Sequence, residues 1–218
     1  MMSTHEKKAI AMSNLTLYGN RYSGHSYKVR LALVLADISH DYAHIDLAQP
    51  REERPEDFRA ASRFGEVPVL VADGVPLCQS NAILQWLADS YGALGGALGE
   101  RQRVREWLNW ETNRLGMSLP NLRYSRLMAH YEPAVEAWLE ARLRDDLAVL
   151  EAELAERRYL AGDQISIADV SLSAYLWWLA DAGLDIADWP NIQAWLARIA
   201  AQPGWQHPDE LMAADIPA

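Results

Sequence analysis

A single cysteine, Cys78, is all that 218 residues contain. A lone thiol permits no intrachain disulfide and leaves a dithiol redox mechanism without its second sulfur, so a reducing compartment is expected. No apolar run approaches the roughly 20 residues that a membrane span needs. The start of the chain carries Glu6, Lys7 and Lys8 but only a very short apolar stretch after them, less than a secretory signal requires. Residues 1–13 therefore read as a loose extension, with Met12 as an alternative start, and a cytoplasmic protein is expected. Positive charge is scarce: 20 Lys and Arg against 30 Asp and Glu give a formal net charge of -10, which argues against binding nucleic acid through bulk electrostatics. Internal repeats and low-complexity tracts are missing. The six histidines are scattered, and His40 and His44, at helical metal spacing, fall in a strand candidate, so no metal site is expected.

What is present is ample core material, since half of the residues are apolar. Up to about Tyr91, short β-like runs alternate with helical patterns. Residues 15–18 form the first strand candidate, a polar loop follows from Asn20 to Gly24, and residues 27–35 read as a helix with a broad apolar face. Residues 40–47 form a second strand candidate. Residues 67–71 and 75–77 flank Asp73-Gly74, a strong hairpin signal. Ser80 then stands at the N-cap of a helix over residues 81–90. This order predicts a small mixed sheet covered by helices.

Four glycines within residues 92–99 mark a linker. Beyond it the periodicity is helical, over residues 101 to about 119, 133–158, 166 to about 181, and 192–201. Eight of the nine tryptophans lie beyond the linker, where large aromatics supply burial. Ser166 and Asp169 have the spacing of a capping box, with Ile165 placed to staple onto Val170, so Asp169 reads as a folding residue rather than an acid catalyst.

Several motifs point the same way. Phe64-Gly65-Glu66-Val67-Pro68-Val69-Leu70 places a proline on a strand edge or where the backbone turns toward a ligand, and Leu77-Cys78-Gln79-Ser80-Asn81 runs from a hairpin strand into a helix. With Tyr22-Ser23-Gly24-His25-Ser26-Tyr27-Lys28-Val29-Arg30, with the segment from Gly162 to Asp169, and with the stretch from Trp189-Pro190 to Trp205, the chain resembles the cytosolic glutathione transferases, the serine-type bacterial-like branch in particular. The resemblance runs from about Leu15 to Trp205. It implies an α/β plus all-α protein, with a thioredoxin-like domain over residues 14–91 that binds glutathione as co-substrate and an all-helical domain over residues 100–210. It also implies a homodimer and a role in detoxification.

Site residues follow from the same resemblance. Pro68 is expected to be cis, with the Val67 backbone pairing to the cysteinyl part of glutathione. Gln79 and Ser80 are expected at the γ-glutamyl end. Many relatives carry an acid where this chain has Gln79, and a neutral amide makes the weaker bond to an ammonium. Arg54, with Arg51 nearby, is the expected partner of the glycine carboxylate, against the charge of Glu66. Ser23 is the expected catalytic group, a hydroxyl at a helix N-terminus that donates to the bound thiolate. Tyr18 and Ser26 are its rivals, and His25 is a possible second donor. Tyr22, Trp107, Trp110, Glu111 and Arg114 are expected to line the pocket for a small electrophile, where domains meet. Cys78 reads as a small buried packing residue. Glutathione-dependent reduction of a peroxide or disulfide, isomerisation, and a non-catalytic binding module remain the alternatives to conjugation.

Overall fold

The computed structural model describes residues 14–213, and the extension expected over residues 1–13, Met12 included, lies outside them. The first half runs β1 (Leu15–Gly19), α1 (Gly24–Leu35), β2 (Asp41–His44), α2 (Glu56–Ala61), β3 (Val69–Ala72), β4 (Val75–Cys78) and α3 (Ser80–Tyr91). The sheet order is β2-β1-β3-β4, with β1 parallel to β2 and antiparallel to β3, and β4 antiparallel to β3.

Strand periodicity divides the residues between the two faces of this sheet. Leu15, Leu17 and Leu70 enter the main core with Leu31, Ile83 and Leu84 from α1 and α3. Tyr18 and Val69 turn to the other face and pack with Ile45 and with Phe58 of α2, the Tyr18 and Phe58 rings lying 5.9 Å apart. Asp73 and Gly74 both take positive φ, 46° and 83°, as a tight two-residue hairpin requires.

The second half is helical: α4 (Arg101–Asn113), α5 (Leu115–Tyr124), α6 (Pro133–Glu156), α7 (Ile167–Ser173), α8 (Pro190–Ala200) and α9 (Pro208–Leu211). The single helix expected from Arg101 breaks at Arg114, where φ is -117° and ψ is -101°. The break accommodates a buried carboxylate, since a Cβ on Gly116 would lie 2.4 Å from Glu111 Oε1. The helix expected over residues 166–181 ends at Ser173 and continues as 3-10 turns over Leu176–Ala182, interrupted by non-helical Trp178. Asp169 holds this region together. Its buried carboxylate accepts from Ser166 N and Oγ, from Leu160 N and from Trp195 Nε1, all within 2.8–2.9 Å.

Candidate functional site

The first turn of α1, the segment before β3, the start of α3 and the C-terminal part of α4 converge on one cavity of about 410 Å³. Its walls include His25, Glu66, Val67, Pro68, Cys78, Gln79, Ser80, Asn81, Glu111, Thr112 and Gly116.

The chain forms each wall for a local reason. The Val67–Pro68 peptide is cis, and β3 begins only at Val69, so the expected strand starts two residues late. Ser62 braces the segment by donating to the Glu66 carbonyl at 2.9 Å and accepting from Glu66 N at 3.0 Å. At α3 the N-cap is Gln79, with φ 71° and ψ 112°, and Ser80 is the first helical residue, not the cap that the sequence suggested. The positive φ turns the chain sharply out of β4 and opens the helix N-terminus toward the cavity. Gln79 Nε2 donates to Glu66 Oε2 at 3.5 Å, so a carboxylate stands beside the position where Gln79 lacks one.

On α1, Ser23 is the N-cap, and its Oγ accepts from Ser26 N at 3.2 Å. Ser23 is half-buried and precedes the cavity wall, which His25 forms. Ser26 is buried, and its Oγ accepts from Asn20 N. Tyr18 lies on the α2 face of the sheet and is not among the residues lining the cavity. Burial, and then the nearby Lys28 charge, push the His25 imidazole down to about 4, so it is neutral at physiological pH. Its Nδ1 is buried without a hydrogen-bond partner.

Behind His25 lies a polar cluster joining both halves of the molecule. Lys28 Nζ, fully buried on α1, donates to Glu111 Oε1 (2.9 Å), Ser171 Oγ (3.0 Å) and Asn81 Oδ1 (3.1 Å). Asn81 Nδ2 donates in turn to Glu111 Oε2 and to the Leu108 carbonyl, both at 2.8 Å. Burial alone would raise the Glu111 carboxyl, but the Lys28 ammonium and these bonds outweigh it and hold the group below its usual range.

Other expected residues stand elsewhere. Arg54 does not line the cavity: its guanidinium donates to the carbonyls of Leu47, Gln49 and Gly65, bracing the loop that carries Glu66. Of the residues expected at the electrophile pocket, Glu111 lines this cavity. Trp107 instead packs in the core with 9% of its surface exposed, against Trp110 at 5.3 Å. Arg114 is committed to Asp146 at 2.7 Å. Tyr22 lies outside the lining and is 54% exposed, and its carbonyl accepts from Arg123 Nη1. Cys78 is half-buried rather than fully packed, its thiol facing the Ala61 carbonyl at 3.8 Å. Sequence reasoning missed Lys28, Asn81 and Ser171. The available signal was a lysine inside the apolar face of α1, matched by a glutamate inside that of α4. Among the described residues, no group of three or more His, Cys, Asp or Glu is placed to hold a metal, and no helix is long and apolar enough to cross a membrane.

The glutathione S-transferase N-terminal domain model matches residues 13–89, and the C-terminal domain model matches residues 124–203. The chain belongs to the glutathione S-transferase family. It is 30% identical over 209 residues to glutathione S-transferase 3 of Zea mays, covering 89% of this chain and 93% of that one. A crystal structure of a glutathione S-transferase from Xanthobacter autotrophicus superposes with a TM-score of 0.81 at 32% identity, covering 91% of this chain and all of the other. The fold is shared as well with the glutathione transferase URE2P8 of Phanerochaete chrysosporium, solved with oxidized glutathione, at TM-score 0.82 and 22% identity over 91% and 95% of the two chains. The protein is thus a transferase built from a thioredoxin-like domain and a helical domain, and glutathione conjugation is the activity its family supports.

Proposed function

We propose that the cavity holds glutathione, and that the enzyme activates its thiol at the first turn of α1 for attack on a small electrophile. The carrying observation is that Val67-cis-Pro68, the α3 N-terminus and the α1 first turn face one another across a single cavity. A γ-glutamyl carboxylate suits the α3 N-terminus, where backbone N–H groups and the helix dipole attract an anion. The segment at Val67, on the cavity wall just before β3 joins the ladder, suits the extended cysteinyl backbone.

The sulfur is then brought to α1, whose N-terminus favours its anionic form. The Ser23 hydroxyl donates to it, and neutral His25 supplies a second contact from the wall. A free thiol titrates near 8.5. Lowering it by about two units, worth roughly 2.7 kcal/mol, makes the thiolate predominant at neutral pH. Positioning in a dry pocket then does most of what the reaction needs. The bound oxidized glutathione of the fungal relative supports the ligand assignment. We further propose a thioredoxin-like domain over residues 14–91, a helical domain over residues 100–210, a cytoplasmic homodimer and a role in detoxification.

The test is retention on immobilised glutathione, with turnover of a generic aromatic halide. Ser23→Ala is expected to bind glutathione nearly as well as wild type and to turn over more slowly at neutral pH. Failure of calorimetry to detect glutathione binding at millimolar levels overturns the proposal.

A further inference from the structure

Just past the end of α7, Tyr175 reaches across to the first turn of α1. The approach is close enough that an ideal Cβ on Gly24 would lie 2.5 Å from Tyr175 Cδ2, so only glycine admits the ring. The His25 ring stands edge-on to Tyr175, with centroids 5.1 Å apart. The phenol end of the side chain lies near the Ser23 side chain and the backbone N–H groups of Gly24 and His25. No role for Tyr175 follows from the sequence motifs.

We propose that Tyr175 is a positioning residue for Ser23, its phenol donating to Ser23 Oγ so that the serine proton is left to point at the substrate sulfur. The donor and acceptor inventory supports this direction. Backbone N–H groups can only donate, so a phenolic oxygen set against those of Gly24 and His25 acts toward them as an acceptor, and its own proton is the one left to direct at Ser23 Oγ. That oxygen already accepts from Ser26 N at 3.2 Å. With both acceptor sites filled, the remaining proton of Ser23 is free for a thiolate, and a hydroxyl that accepts two bonds donates more strongly. Burial raises the Tyr175 hydroxyl above its ordinary value, so it stays a protonated donor across the working pH range.

Few charges face this chain of hydroxyls. His25 on α1 is neutral above about pH 4, Arg123 on α5 pairs with Asp181, and behind His25 lies the Lys28–Glu111 pair.

The inference rests on the proposed glutathione reading, and the experiment separates the two. Tyr175→Phe keeps the ring over Gly24 and removes only the hydroxyl. Its kcat/KM for glutathione is measured against pH, alongside the ultraviolet absorbance of the bound thiolate. The kinetic pKa is expected to rise by about half to one unit. Rates near pH 6.5 should then fall about three- to tenfold, while rates at alkaline pH stay within about twofold of wild type. In a Ser23→Ala background the same substitution should have little further effect. An unshifted pKa overturns the inference, whether the rate is unchanged or falls equally at every pH. So does a shift that persists without the serine. A wild type that conjugates no glutathione removes the function itself, and this inference with it.

Discussion

Lys28 Nζ and Glu111 Oε1 are 2.9 Å apart, one from the sheet-bearing half and one from the helical half, and neither side chain is more than 3% exposed. Asn81 and Ser171 complete their hydrogen bonding. Removing one partner strands a buried charge, which typically costs about 3–5 kcal/mol, whereas replacing both by apolar groups is often close to neutral. Lys28→Met is expected to lower the denaturant midpoint sharply. Lys28→Met with Glu111→Leu should recover much of the loss, and equal midpoints for the single and double variants would refute the pairing argument.

Acid should reveal His25. Its folded value of about 4 lies below the ordinary 6.5, so the unfolded chain binds the proton more readily. The resulting stability is complete above about pH 6.5 and is lost as pH falls toward 4, to a total of about 3 kcal/mol. Equilibrium unfolding at a series of pH values is expected to show this slope, and His25→Asn should flatten it.

Glu66 places a carboxylate on the cavity wall, and among the described residues no Lys or Arg lines that cavity. Glutathione brings two carboxylates of its own. Glu66→Lys is expected to tighten glutathione binding about fivefold at low salt, with the gain shrinking at high salt as the charges are screened. Calorimetry at two ionic strengths checks this, and weaker binding would show that Glu66 instead receives the ligand's ammonium beside Gln79.

Much of this arrangement was legible wherever the cause was local. Ser166 and Asp169 are three residues apart, and Asp73-Gly74 sets its own turn, so both could be read directly. Val67, Pro68, Gln79 and Ser80 were readable as short motifs, and all four line the cavity. What escaped depends on distance or on rotation. The six residues of α2 are too few to show a helical period. Lys28 and Glu111 stand 83 positions apart, and nothing local to either one names the other as its partner. The spacing of Trp107, Trp110 and Glu111 on α4, with Arg114 at its end, identifies a face of the helix but not which part of it meets the core and which the cavity. Arg54 is matched to a ligand carboxylate by its charge, yet its guanidinium is taken up by the carbonyls of Leu47 and Gln49 before α2 and of Gly65 after it.

Asp169 offers a contrast with the charged cavity residues. Asp169→Asn keeps the shape but turns one acceptor into a donor facing N–H and O–H groups. A loss of about 1–3 kcal/mol is expected, seen as a lower Tm with glutathione affinity unchanged at temperatures where the variant is folded. A change in affinity without loss of stability would contradict the purely architectural role.

The ammonium of Lys28 has a consequence for recombination. A chimera joining this sheet-bearing half to the helices of a relative that lacks a carboxylate at the place of Glu111 would inherit a cation sealed in the seam with nothing to balance it. The two halves are therefore exchangeable only as a matched set, and heritable change at one of these positions is constrained by the residue already present at the other.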